Sequence, residues 1–222
     1  MLSEWFPNVV MEDMWDATYE TLYMTVISVI GTLILGILLG LLLFLSERGN
    51  LWQNRLINSV TASAVNIFRA IPFIILILLL FPLTDFLVGT LRGPKAALPA
   101  LILGAAPFYA RLVEIAFKEV DKGVIEAAKT MGAKTHTIIF KVLLPESMPA
   151  LISGITVTAI NLVSFTAMAG IIGAGGLGDL AYLKGFQRRD YDVVVASTIF
   201  IVIIVFIFQF IGDYLSKKLD KR

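Results

Sequence analysis

Residues 21–46, TLYMTVISVIGTLILGILLGLLLFLS, contain no Asp, Glu, Lys or Arg, and this run narrows the possible folds more than any other feature of the chain. A helix of about 20 apolar residues crosses the hydrocarbon core of a bilayer. In that core a segment has to satisfy its own backbone N–H and C=O groups, so an isolated run of this kind is read as a helix. Apolar stretches that carry few charges recur at about 58–84, 96–117, 147–178 and 193–214. The composition agrees: 58% of residues are hydrophobic and 16% charged, against about 25% charged in soluble domains. The expected fold is an all-α membrane protein with five transmembrane helices in one domain, residues 1–222, surrounded by membrane lipid. No fixed-period repeat and no Ser/Gly linker divides it.

Each span carries marks of how it packs. Gly36 and Gly40 have the spacing that lets a neighbouring helix approach closely. Arg69 and Pro72 interrupt the second span, and Pro107 lies inside the third, which ends with Arg111 and Glu114. The fourth is too long for one simple helix and finishes in Gly170, Gly173, Gly175, Gly176 and Gly178, where a bent or broken segment is expected. Helical rise places Arg69 and Glu114 at similar depths, so the two are expected to form an intramembrane ion pair; the other reading has Arg69 reaching lipid headgroups alone.

Charge then orients the chain. Five spans put the termini on opposite sides of the membrane. Arg48, Arg55, the six basic residues from Arg111 to Lys141 and the four in the tail fall on one side; Arg92, Lys95, Lys184, Arg188 and Arg189 fall on the other. The richer side is cytoplasmic by the positive-inside bias, which places the N-terminus outside and the C-terminus inside. Glu4, Glu12, Asp13, Asp16 and Glu20 precede the first uncharged run without a Lys or Arg. That stretch lacks the basic region of a cleavable signal peptide, and the first span is expected to be retained.

Several kinds of chemistry are missing. With no cysteine and a single histidine, His136, neither a disulfide framework nor a Cys/His metal cluster is available. None of the glycine clusters continues as GxxxxGK[ST], so an ATP-driven role needs ATP and Mg²⁺ bound on another chain. Catalytic residues are not expected, since no Ser/His/Asp set and no paired carboxylates share a membrane depth. The shortage of acidic and histidine side chains inside the spans argues against a proton-coupled transporter. No basic block points to nucleic acid.

Residues 126–145, EAAKTMGAKTHTIIFKVLLP, form a charged, amphipathic island between the apolar runs. Read as a helix, Val124, Ala127, Ala128 and Met131 make one apolar stripe, with Lys122, Glu126 and Lys129 on another face. Gly132 suits a left-handed helix end, and Thr135 or Thr137 is placed to cap a second helix from Ile138. The loop as a whole spans about 118–146. The spacing Glu126-Ala127-Ala128, three residues, Gly132, nine residues, Val142, two apolar residues and Pro145 resembles the EAA loop of binding-protein-dependent ABC importer permeases; Val142 replaces the family's usual isoleucine.

The resemblance extends over the rest of the chain. RAIPFIILILLLFPLTDFLVGT (69–90), GAAPFYARLVE (104–114) and SFTAMAGIIGAGGLGDLAY (164–182) are similar to the methionine-uptake branch of these permeases. That likeness implies a bacterial inner-membrane subunit with five spans, a homodimer with the pathway on its twofold axis, two cytoplasmic ATPase subunits and an extracytoplasmic methionine-binding protein. It also implies that Glu126, Ala127, Ala128, Gly132 and Pro145 couple the chain to the ATPase, and that Met168 is a gate; core packing by a flexible thioether is the competing reading of Met168. A permease for an osmolyte or another small solute would share the loop. A secondary transporter or channel acting alone is the more distant alternative.

Overall fold

The computed structural model describes residues 7–219, all of whose regular elements are helical. Glu4, Lys221 and Arg222, used above in the charge argument, lie outside the described residues. The elements are α1 (Met11–Ser46), α2 (Arg55–Ala70), α3 (Phe73–Leu79), α4 (Phe81–Val88), α5 (Pro94–Lys118), α6 (Lys122–Thr130), α7 (Thr135–Ile138), α8 (Leu144–Ile171), α9 (Gly176–Asp179) and α10 (Tyr191–Leu219). Among the described residues four helices are long and apolar enough to cross a membrane, counting Thr135–Ile171 as one, and there are five if the bent pair α2–α3 is taken as one span.

Glycines set the central contact. A Cβ on Gly31 would strike Ile102, one on Gly36 the ring of Tyr109, and one on Gly40 the Ala110 carbonyl and Val113. Both residue series ascend together, so α1 and α5 run parallel in close contact, as the Gly36/Gly40 spacing anticipates. The chain therefore has to return between them, and α2–α4 is that return. On the other side of α5, the Tyr109 hydroxyl donates to the Leu151 carbonyl at 3.2 Å, and Gly154 packs on Leu112 and Tyr109. Ala105 and Leu162 share a core cluster, so α8 is antiparallel to α5. Gly212 lies on Thr156 and Ser216 on Ser153, which makes α10 antiparallel to α8. Asn8 bonds Asp192 at the start of α10. Leu219 therefore ends at the opposite face from Asn8, as an odd number of crossings requires.

Three boundaries differ from expectation. α1 begins at Met11, ten residues before the uncharged run. Its early acids complement a helix N-terminus, and two of them meet partners remote in sequence: Asp13 pairs with Lys184 at 2.6 Å, and Glu20 accepts from the Gly176 N–H at 2.7 Å. The second span is not one interrupted helix, because α2 and α3 meet at 109°. Ile71 is extended (φ −81°, ψ 123°), as a residue before proline tends to be, and Pro72 lacks the N–H that would continue the helix. The fourth span ends at Ile171. The chain turns through Gly173, Gly175 and Gly176, all at positive φ, and α9 folds back with Gly178 against the Ala167 backbone, where a Cβ has no room.

Candidate coupling loop and pathway face

The EAA stretch lies at one end of the bundle. Asp121 opens α6 by accepting the Gly123 N–H at 2.6 Å. The helix closes through two bonds, Gly132 N–H to the Lys129 carbonyl at 2.9 Å and Ala133 N–H to the Ala128 carbonyl at 3.0 Å. This paired closure requires a left-handed residue between its donors; Gly132 supplies it at φ +79°. Of the Glu-Ala-Ala triplet, then, Ala128 gives the carbonyl that ends the helix.

Among the described residues nothing covers most of the apolar stripe of α6. Val124 and Ala127 are exposed, Met131 is 86% exposed, and Ala128 is half-buried. Ile125, which lies off that stripe, anchors the helix against the cluster of Phe44, Phe117 and Leu143. Glu126 lines a cavity beneath the helix together with Arg48, Lys118 and Lys129.

After the loop, Lys134 occupies the cap position of α7 and no side chain caps it, so neither Thr135 nor Thr137 takes the expected role. From Thr135 the chain stays helical to Ile171 through a widened π turn at Ile139–Leu143. The Leu144 N–H reaches back five residues to the Ile139 carbonyl, and Pro145, which has no N–H, stands in the next position. Pro145 thus sits inside a long helix beside a π turn. The short helix α6, the bend at Gly132 and the return into the bundle from Thr135 precede it.

Met168 lies 23 residues further along the same helix, about 35 Å by helical rise. It is 43% exposed and shares a face with Val157, Asn161, Ser164 and Ile171. The spacings of four, three, four and three residues make a continuous stripe that is exposed among the described residues.

Arg69 and Glu114 are not brought together. Glu114 is 4% exposed and is held by its own helix, with Arg111 at 2.6 Å and Lys118 at 2.8 Å; Lys118 also reaches Glu47 at 2.9 Å. Partners at i−3 and i+4 are the nearest neighbours a helical carboxylate has, and Lys118, through Glu47, ties the end of α5 to the end of α1. Arg69 instead lines a separate cavity beside the α2–α3 break.

At the other end of the bundle, Glu20 and Thr21 hold the N–H groups of Gly176 and Leu177 at 2.7 and 2.9 Å. Asp179, in this turn, keeps one buried carboxylate oxygen without a partner. Burial, and then the neighbouring charge of Glu20, push its pKa above the usual carboxylate value, while Lys184 acts the other way. The sequence carried no local signal for this contact, whose members lie more than 150 residues apart.

Residues 32–222 match the family model described as the binding-protein-dependent transport system inner membrane component. The chain is 65% identical over 222 residues to the methionine import system permease protein MetP of Bacillus subtilis (strain 168), with both chains fully covered. It is 41% identical over 206 residues to the probable D-methionine transport system permease protein MetI of Vibrio cholerae, covering 93% of this chain and 92% of that one. Among solved structures, a chain from inward-facing conformations of the MetNI methionine ABC transporter matches with a TM-score of 0.93 at 40% identity, covering 95% of this chain and 98% of that chain. A chain from an amino acid ABC transporter crystallised with histidines shares the fold, with a TM-score of 0.77 at 18% identity over 94% of each chain. With its EAA loop at one end of a helical membrane bundle, the chain belongs to the binding-protein-dependent transport system inner membrane component family.

Proposed function

We infer that this chain is the membrane-spanning permease subunit of a methionine ABC importer, working as a homodimer with two ATPase subunits and an extracytoplasmic methionine-binding protein. The observation that carries the reading is identity of 65% over the whole length to a methionine import permease. ATP and Mg²⁺ are held by the partner ATPases, and the permease itself catalyses no reaction. The chain sits in the bacterial cytoplasmic membrane with its N-terminus outside and the EAA loop inside.

The mechanism follows from the geometry. The uncovered stripe of Val124, Ala127 and Met131 docks in an ATPase groove, with Glu126 and Ala128 in the same helix and Gly132 fixing its end. Closure of the ATPases moves α6. Because the chain is helical from Thr135 to Ile171, with the π turn beside Pro145 as its point of adjustment, displacement at the loop is carried to Met168. There the exposed stripes of two copies meet on the twofold axis, and the Met168 thioethers narrow the path in one state and part in another. Coupling is the free-energy difference between these two arrangements, biased by nucleotide at one end and by the binding protein at the other.

Uptake of labelled methionine by cells lacking the gene, with and without the chain restored, tests the reading. Restored uptake that excess unlabelled methionine abolishes is expected. Restored uptake of an osmolyte that methionine does not compete would assign another solute.

A further inference from the structure

We propose that the cavity beside the α2–α3 break is a transit site for the amino acid itself, in which Arg69 takes the α-carboxylate and Asn161 and the Phe73–Phe165 ring pair contact the rest of the molecule. This deepens the importer reading and rests on it. The cavity has a volume of about 230 Å³, a size suited to one small amino acid, and is also lined by Gly104 and Thr158.

Among the described residues no carboxylate lies within ion-pair distance of Arg69, since Glu114 is engaged by Arg111 and Lys118. Arg69 is exposed in the single chain and stands at the break of the bent span; ionisable residues of membrane spans face the bundle interior or a water-filled cavity and mark substrate paths. Guanidinium presents donors in a planar fork that matches a carboxylate. Arg69 stands in the last turn of α2, a helix end whose terminal carbonyls lack intrahelical partners and suit an ammonium group. Broken helices in transporters are where such backbone groups become available to a solute. In the same lining, Phe73 and Phe165 stack with ring centroids 4.4 Å apart and an interplanar angle of 1°. Sulfur against aromatic rings is a favourable contact, which suits a thioether side chain.

The cavity is also in the right place. Asn161 belongs to the exposed stripe of α8 that carries Met168. It precedes Met168 by seven residues, about 10 Å along the helix on the EAA-loop side. A molecule released past Met168 would meet this cavity next.

The absence of cysteine from the chain makes the test direct. Ser164 lies on the same stripe one turn beyond Asn161 and does not line the cavity, so Ser164→Cys reports occupancy without removing a contact. In the assembled transporter in nanodiscs, methionine is expected to slow modification of Ser164→Cys by a methanethiosulfonate reagent. Methionine amide, which lacks the carboxylate, is expected to protect poorly. Replacing Arg69 by Gln in that background should raise the methionine concentration for half-protection by roughly ten- to a hundredfold, the value of a hydrogen bond to a charged group, and Arg69→Lys should fall between. Equal protection by methionine and its amide, or equal protection with and without Arg69, overturns the proposal. So does labelling that responds to replacing anionic with neutral lipid and not to methionine, which would make a headgroup the occupant. If the same preparation imports methionine with ATP and methionine never protects, the transit site is wrong while the importer reading stands; a preparation that imports other solutes and not methionine removes the importer reading itself.

Discussion

Replacing Gly132 by valine separates backbone conformation from packing, because a Cβ at Gly132 meets no atom within 4 Å. Steric collision with neighbours therefore contributes nothing. What remains is φ +79°, which costs an ordinary L-residue about 1–2 kcal/mol and a β-branched one more, since such residues are true outliers at positive φ. To escape that cost the chain has to give up the bonds to the Lys129 and Ala128 carbonyls that close α6. Gly132 is exposed and outside the buried core, so thermal stability of the isolated permease should change little. A bias of 1–2 kcal/mol against the docking conformation corresponds to a loss of roughly 5- to 30-fold in affinity for the ATPase. Asparagine tolerates the left-handed region, so Gly132→Asn should retain most of the function that Gly132→Val loses. The assay is co-purification with the ATPase subunits and methionine uptake, with membrane insertion checked by immunoblot. Normal association and uptake in Gly132→Val would refute the loop as the docking element. An equal loss in Gly132→Asn would refute the conformational reason.

Further outcomes can be checked in the same way. Met168→Cys should form a disulfide between two copies under oxidation in at least one nucleotide state, which requires Cα atoms within about 7 Å; no crosslink in any state, together with no solute leak through Met168→Ala in sealed vesicles, would remove the gate role from Met168. Glu114→Ala should lower stability by about 1.5–3 kcal/mol, the range for hydrogen bonds to charged groups, and no more than that because Arg111 and Lys118 are nearly half exposed and rehydrate. Its effect should add to that of Arg69→Ala in a double-mutant cycle, and coupling between them would contradict the pairing seen here. Asp179 has a raised folded-state pKa, so its charged form opposes folding: it contributes stability below the unfolded-state pKa and loses it as pH rises through the folded value. Asp179→Asn should accordingly raise the melting temperature at neutral pH, with the gain shrinking as the pH falls toward the ordinary carboxylate range; a gain independent of pH would point to a different cause.

Those features of the chain that depend on local chemistry were legible in advance. Absence of charge located the spans, and the requirement for positive φ at a helix end singled out Gly132. The same criterion misplaced the start of α1, because Asp13 and Glu20 are carried by Lys184 and the Gly176 N–H, which no local window contains. The depth arithmetic for Arg69 assumed a continuous second span, and the 109° turn at Pro72 removes that assumption. Arg111 and Lys118 were within helical reach of Glu114, so its true partners could have been found from i−3 and i+4 spacing alone. Pro145 was singled out by the motif, but the π turn before it depends on how Ile139 and Leu143 pack against Phe44, Phe117 and Leu151. The uncovered stripe of α8 became visible only once the fold showed which faces were already occupied.

The most direct test of the account is uptake of labelled methionine into proteoliposomes containing the permease with its ATPase, ATP on the ATPase side and the methionine-binding protein on the other. Uptake against a gradient that stops when either ATP or the binding protein is omitted is the expected result. Uptake that persists with the permease alone, or ATP-driven uptake of a different solute with methionine excluded, would contradict it.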